Sequence, residues 1–328
     1  MSQTNALAGS VLVRPNIAQG VASVVSRPTD LFNFCLANGL VRPLRGGSPL
    51  KWAVQTAGNG SAEIFVEDQA LPASGRRTLA QASQSVTYFR VRAGVTGHLR
   101  DNLLSGNAVE LGDAWSGELT DATDALLYLI EQSFLGSTQD LGIASIIDAG
   151  DTYAGLAPGS YSTWASLETA VGGALTAGVM YDAFESLTGG TYMAAPSAIL
   201  CNVNQLSNYG AIVGPGSGTS SQTRLMLPAN APGSYDIGVT RPGVMSFNNI
   251  PLIGIRAMTN TEMYWVSVAD QNVGNGTALP GFGIHVHRDV KVEMLAKTSD
   301  NDDAMVSMAA MLTVPTRRRH AKLTGITA

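Results

Sequence analysis

The cluster His285-Val-His287-Arg-Asp289 is the one place where residue types and spacing suggest chemistry. Alternate positions of a strand share a face, so both imidazoles and the Asp289 carboxylate would point the same way, as ligands of a catalytic metal must. A metal-dependent hydrolase centred on His285, His287 and Asp289 is therefore the enzymatic reading. Such a site needs further ligands, and only His98 and His320 remain among the histidines. The ordinary reading, an exposed polar strand face, is the one we expect. Gly214-Pro-Gly-Ser-Gly218 lacks both the Lys-Ser/Thr ending of a phosphate-cradling loop and the third glycine of a dinucleotide fingerprint, and reads as a surface loop. No serine stands in a Gly-x-Ser-x-Gly elbow, so no nucleophile is nominated. Arg317-Arg-Arg-His320 reads as a solvated turn or an intersubunit pairing site rather than a nucleic-acid contact. No catalytic, cofactor or metal residue is assigned.

Composition points the same way. The chain has 328 residues, which suits about two domains. Only 14% of them are charged, against roughly 25% in a typical soluble domain, so much of the surface is expected to face other protein. The 36 glycines and 6% aromatics favour bends and thin excursions over one large aromatic core. A formal net charge of −5 shows no broad basic face for tight nucleic-acid binding. Cys35 and Cys201 cannot form a disulfide framework, and Cys201 lies in an apolar run where a thiol acts as a small hydrophobe. No secretory signal and no run of eighteen apolar residues is present, so neither secretion nor membrane spanning is expected.

The elements that would position such residues follow from pattern. Residues 1–47 carry Arg14-Pro15, Arg27-Pro28 and Arg42-Pro43. Each proline pushes its predecessor toward extended geometry, so this segment reads as an arm with one short helix near Asp30 to Asn38. Leu50 to Thr56, Ala62 to Asp68 and Ser85 to Ala93 read as strands of a long hairpin with a polar tip at Ser74-Gly-Arg-Arg77. Within the last of these, Val86, Tyr88, Arg90 and Arg92 share one face and Thr87, Phe89 and Val91 the other. The hairpin is too thin to be stable alone, so we expect it to lie across another subunit. Trp115, Leu119, Ala122, Leu126, Ile130 and Phe134 recur at helical spacing over Gly112 to Phe134, and acidic residues load its first half. A second helix is predicted over Leu167 to Leu187, and strands over Gly283 to Val292 and Met305 to Val314 with an acidic turn Ser299 to Asp303 between them. Helices flanked by strand-rich segments give an α+β class.

This order of elements resembles the major capsid proteins of tailed phages with the Hong Kong 97-like fold. The resemblance is carried by Gly155-Leu-Ala-Pro-Gly-Ser-Tyr-Ser-Thr-Trp164, by Ala198-Ile-Leu-Cys-Asn202 opening a helix, by Phe247-Asn-Asn-Ile-Pro-Leu-Ile253, and by Pro315 to Ile326. It implies an N-terminal arm (1–47), an extended hairpin loop (48–100), a peripheral domain with a long spine helix (101–197), an axial domain (198–300) and a C-terminal return to the peripheral domain (301–328). It further implies a non-enzymatic subunit without cofactor, self-assembling into the pentamers and hexamers of a virion capsid built in the host cytoplasm. Its partners would be itself, a scaffolding protein, a portal, a decoration protein and packaged double-stranded DNA met without sequence specificity. Trp52, Arg76, Arg77, Arg14 and Arg27 are the expected subunit-interface residues. The residues before Leu50 are neither charged nor periodic enough for a scaffolding coil, so scaffolding is expected as a separate protein. Encapsulin compartment shells, which share this fold, would give similar signals.

Overall fold

The computed structural model describes residues 27–44, 47–64, 70, 72–96, 114–189, 194–213, 245–272, 278–296 and 300–327. The chain divides into two units, one of Met1–Arg27, Arg90–Leu126 and Val290–Ser307 and the other of Pro28–Phe89, Leu127–Asp289 and Met308–Ala328. Helices and sheets are mixed, so the α+β class holds.

The second unit holds a six-stranded sheet made of β5 (Leu167–Ala174), β6 (Ala198–Cys201), β7 (Ser246–Phe247), β8 (Ile250–Gly254), β9 (Met263–Val266) and β14 (Ala321–Thr327). Its order is β5-β14-β9-β6-β8-β7. All four residues of β6 and of β9 are buried, because the middle of the sheet is covered on both faces and needs continuous apolar runs rather than alternation. Helix α4 (Ala177–Thr188) presents Met180, Ala183 and Leu187 to this core, at spacings of three and four, beside Ile199, Trp265 and Leu323. The Thr176 hydroxyl caps α4 by accepting from Val179 N at 3.2 Å, the usual reward for threonine at that position. Helix α5 (Val203–Val213) follows β6.

Two expectations fail in this unit. Leu167 to Leu187 is not one helix: its first half is β5, parallel to β14 from Ala321↔Leu167 to Thr327↔Ala174. Gly172 has a φ of +62°, a left-handed conformation that interrupts a helix and that glycine adopts freely. Ala198 to Cys201 does not open a helix either, since these residues form β6 and α5 starts at Val203. A four-residue apolar run carries no period, and burial on both faces decided it. Strands β5 and β14 stand in one sheet with β6 to β9.

A four-stranded sheet has the order β1-β12-β13-β4, with β1 (Val41–Pro43), β4 (Thr87–Thr96), β12 (Gly283–Met294) and β13 (Asn301–Thr313). Pro43 is tolerated because β1 is an edge strand. In β4 the predicted alternation is seen: Phe89, Ala93 and Val95 are buried, Tyr88 and Arg90 exposed. Helix α2 (Ala114–Leu135) buries Ala122, Leu126, Ile130 and Phe134 at every fourth position, and the Phe134 ring meets Phe89 edge-on at 6.1 Å. Of the acidic turn expected at Ser299 to Asp303, Ser299 lies outside the described residues, while β13 begins at Asn301 and Asp303 is buried. Arg92 Nη2 lies 2.6 Å from Asp303 Oδ2, and a Cβ at Gly94 would fall 2.5 Å from Asp303 Oδ1, so glycine there makes room for the pair.

The hairpin also differs in register. Strand β2 (Leu50–Ala57) pairs antiparallel with β3 (Thr78–Gln84), Trp52 opposite Ala82 and Val54 opposite Ala80. Ser61 to Ile64 carry no strand, the rest of the predicted Ala62 to Asp68 strand lies outside the described residues, and the run from Ser85 feeds β4 instead. One hairpin face, with Trp52, Val54, Ala82 and Gln84, is buried within the chain itself.

At the β7–β8 turn, Asn248 and Asn249 have φ of +48° and +63°, the two-residue hairpin geometry that asparagine accepts and β-branched residues do not. Replacing Asn249 by Val is expected to lower stability by about 1–2 kcal/mol, and Asn249→Gly to leave it within about 0.5 kcal/mol, both read by chemical denaturation.

Candidate functional site

The histidine strand does not form a polar face. His285 is buried, with Nδ1 3.2 Å from Thr313 Oγ1, and burial pushes its pKa down to about 4. His287 and Asp289 are exposed. The strand passes from core to solvent along its length, so residues that share a face do not share an environment. Among the described residues, no group of three or more His, Cys, Asp or Glu is gathered as metal ligands. Cys35 and Cys201 are buried free thiols, and burial pushes Cys201 up to about 12, as suits a small hydrophobe.

The 317–320 run is not wholly solvated: Arg317 and His320 are fully buried, whereas Arg318 is half-buried and Arg319 exposed. Arg317 sits in the one-turn segment between β13 and β14 and donates to four backbone carbonyls. Nε reaches Ile146 O at 2.6 Å and Nη1 reaches Asp151 O at 2.6 Å. Nη2 reaches Ser145 O at 3.3 Å and also Asp148 O. The guanidinium carbon lies 5.8 Å from the Tyr153 ring centre, a cation–π arrangement. Burial pulls the Arg317 pKa down, and the nearby Asp148 charge opposes that; an arginine starting so high stays charged.

Tyr153 extends this centre. Its ring stacks on Trp164 at 6.0 Å and tilts against Trp52 at 6.3 Å. Its hydroxyl donates to Gln84 Oε1 at 2.9 Å and accepts from Val314 N at 3.0 Å. Gln84 Nε2 donates to both Asp140 O and Leu312 O at 2.7 Å, and Trp52 Nε1 donates to Pro315 O at 3.1 Å. Lys322 Nζ donates to Ala144 O at 3.1 Å beside Asp148 and Glu262. The base of the hairpin, the 145–151 segment and the β13–β14 connection thus converge on one polar network.

Of the five expected interface residues, Trp52 is buried in the core of its own chain. Arg27 pairs with Asp121 at 2.6 Å. Arg76 and Arg77 are exposed on a segment without regular structure, and Arg14 lies outside the described residues. Asp303 is held by Arg92 of the same chain. Sequence reasoning missed Arg317 as a centre; the only signal was a basic residue between two apolar strands.

No family model matches the chain, and no curated protein matches it in sequence. Solved structures match from end to end. The capsid asymmetric unit of cyanophage A-1(L) superposes with a TM-score of 0.70 at 17% identity, covering 98% of this chain and 99% of that one. The capsid of a native GTA particle gives 0.66 at 13% identity over 100% of both chains. The SrpI encapsulin of Synechococcus elongatus PCC 7942 gives 0.59 at 13%, covering 98% of this chain and 95% of that one. The chain therefore has the Hong Kong 97-like capsid fold that its order of elements resembled.

Arg317→Lys is expected to cost about 3–5 kcal/mol, because one ammonium cannot serve carbonyls on several sides and leaves buried acceptors unpaired. Loss of soluble protein or a large drop in denaturation midpoint would show it. The buried histidines set an acid limit: His285 and His320 have folded pKa values of about 4 and about 3, below their ordinary 6.5. Their contribution is intact above pH 6.5 and is lost as pH falls through those lower values. His285→Gln is expected to flatten stability between pH 6.5 and 4, read by chemical denaturation across that range.

Proposed function

We propose that this chain is the major capsid protein of a tailed phage, a non-enzymatic subunit that self-associates into the pentamers and hexamers of an icosahedral head. The observation that carries the reading is the end-to-end match to capsid chains, with essentially no unmatched length on either side. The buried polar side chains support it, since Arg317, His285 and Tyr153 are engaged in holding the subunit's own core. Packaged double-stranded DNA, met without sequence-specific contact, fits the absence of a broad basic face. A separate scaffolding protein, a portal and a decoration protein complete the partners, and the assembled subunit belongs to the virion capsid after assembly in the host cytoplasm. An encapsulin-like compartment is the second reading, since the encapsulin superposes with a TM-score of 0.59 over 98% of this chain.

Assembly on this reading uses the exposed end of the hairpin. Its base is anchored by Trp52 and by Thr163 Oγ1, which donates to Thr56 O at 2.9 Å, so the tip is carried on a fixed root. Arg76 and Arg77 near that tip and the exposed Glu118 and Asp124 on the first half of α2 are complementary in charge. We assign them to opposite sides of a contact between copies. Each exposed pair contributes only about 0.2–1 kcal/mol, but a shell repeats the contact in every subunit.

Electron microscopy of the expressed protein tests the function. Closed or aberrant shells from the chain alone, made uniform by its scaffolding protein, are expected; monomers under both conditions would overturn the reading. Arg76→Glu with Arg77→Glu is expected to shift material from shells to smaller oligomers, and Glu118→Arg with Asp124→Arg in the same chain to restore shells. Unchanged assembly by the first pair would remove these residues from the interface.

A further inference from the structure

Strand β12 runs on beyond its neighbour. Strand β1 pairs with it only from Val41↔Ile284 to Pro43↔Val286, and among the described residues no other strand lies along that side, since β1 ends the sheet order β1-β12-β13-β4. Residues 287–294 of β12 therefore form an edge. Successive residues of a strand turn their backbone groups to opposite sides. On the β1 side Ile284 N donates to Leu40 O at 3.0 Å and Val286 O accepts from Leu44 N at 2.8 Å, whereas Leu295 N donates to Asp303 O at 2.9 Å on the β13 side. The backbone N–H and C=O of Val290, Val292 and Met294 accordingly face the open edge. Their side chains share one strand face and are 40%, 45% and 63% exposed, while Lys291 and Glu293 on the other face join at 2.6 Å. An edge with both its backbone groups and its apolar side chains in water is a template for another strand.

We propose that this edge pairs with the same edge of a second copy of the chain, antiparallel about a two-fold axis through Val292. Charge and apolar pattern select that register. With the axis at Val292, each Val292 meets its counterpart and each Val290 meets the second copy's Met294, so the three exposed apolar side chains cover one another. On the other face Lys291 stands opposite the second copy's Glu293, and Glu293 opposite its Lys291, as stable cross-strand pairs require. An axis at Lys291 or at Glu293 would set like charges opposite each other. An axis between two residues would set valine against lysine or glutamate. An axis at Val290 would put Val292 against Arg288, and one at Met294 would put it against Ala296. The pairing is isologous, so every contact is made twice and the strand ladder continues from one copy into the next. It rests on the shell reading for its place in an assembly, although the pairing itself needs only two copies.

Thiol crosslinking tests the register. Val292→Cys, Val290→Cys and Met294→Cys are made in the full-length chain, whose own Cys35 and Cys201 are buried. The protein, in particles and free in solution, is treated with a short bismaleimide and read by denaturing electrophoresis. Val292→Cys is expected to give about tenfold more linked dimer than Val290→Cys or Met294→Cys alone, because the thiols of those two lie about 14 Å from their counterparts, four residues along the strand. Val290→Cys and Met294→Cys in one chain are expected to link as well as Val292→Cys. Lys291→Glu, which sets two glutamates opposite each other, is expected to lower Val292→Cys linkage about fivefold, and Lys291→Glu with Glu293→Lys to restore it. Equal linkage by Val292→Cys and Val290→Cys, or none by either, overturns the pairing, and overturns it alone where electron microscopy shows shells. Linkage at Val292→Cys untouched by Lys291→Glu overturns it as well. Linked dimers at Val292→Cys in protein that makes no shells would uphold the pairing and remove the shell reading.

Discussion

One buried cation with no dedicated carboxylate is the constraint around which the second unit is arranged. Taking a charged group out of water carries a penalty of several kcal/mol unless every donor is matched. The planar fork of Arg317 presents five N–H donors in fixed directions, and the carbonyls of Ser145, Ile146, Asp148 and Asp151 meet them. Four carbonyls from a seven-residue stretch converge on one group only if that stretch adopts a single path. The guanidinium thereby dictates the shape of a loop, and the loop in turn supports Tyr153, Gln84 and the root of the hairpin. Because Arg317 stands between β13 and β14, the same group fixes where the chain leaves one sheet and enters the next.

The remaining charges follow a related economy. In a chain with only 14% charged residues, several arginines are joined to carboxylates far away in sequence: Arg42 with Asp270, Arg92 with Asp303 and Arg256 with Asp30. These pairs are partly exposed, so each adds little to stability. What they supply is register, since an arginine fork accepts a carboxylate in few orientations. The surface that remains is low in charge, as suits the self-associating subunit proposed above, and the hairpin base is anchored within the chain by Trp52 and Thr163.

The sequence by itself determined the elements whose signal is local and periodic. Helix α2 was legible because Ala122, Leu126, Ile130 and Phe134 repeat at a helical spacing, β4 because its residues alternate, and the short helix Asp30–Ala37 because a mostly apolar run follows Pro28. The order of these pieces was enough to suggest the capsid fold. Tertiary structure decided everything that depends on a distant partner. Leu167 to Ala174 is a strand because β14 lies alongside it and Gly172 turns out of helical geometry, and Ala198 to Cys201 is a strand because it is buried on both faces. Thr78 to Gln84, small and polar for a strand, pairs because Trp52 and Val54 of β2 need a covered face. His285 is a core residue because β13 places Thr313 against it. Arg317, and Glu131, which accepts from Leu31 N and Phe32 N, were illegible for the plainest reason: their partners are backbone carbonyls and amides, which no sequence distinguishes, so only the folded path of the chain could bring them into place.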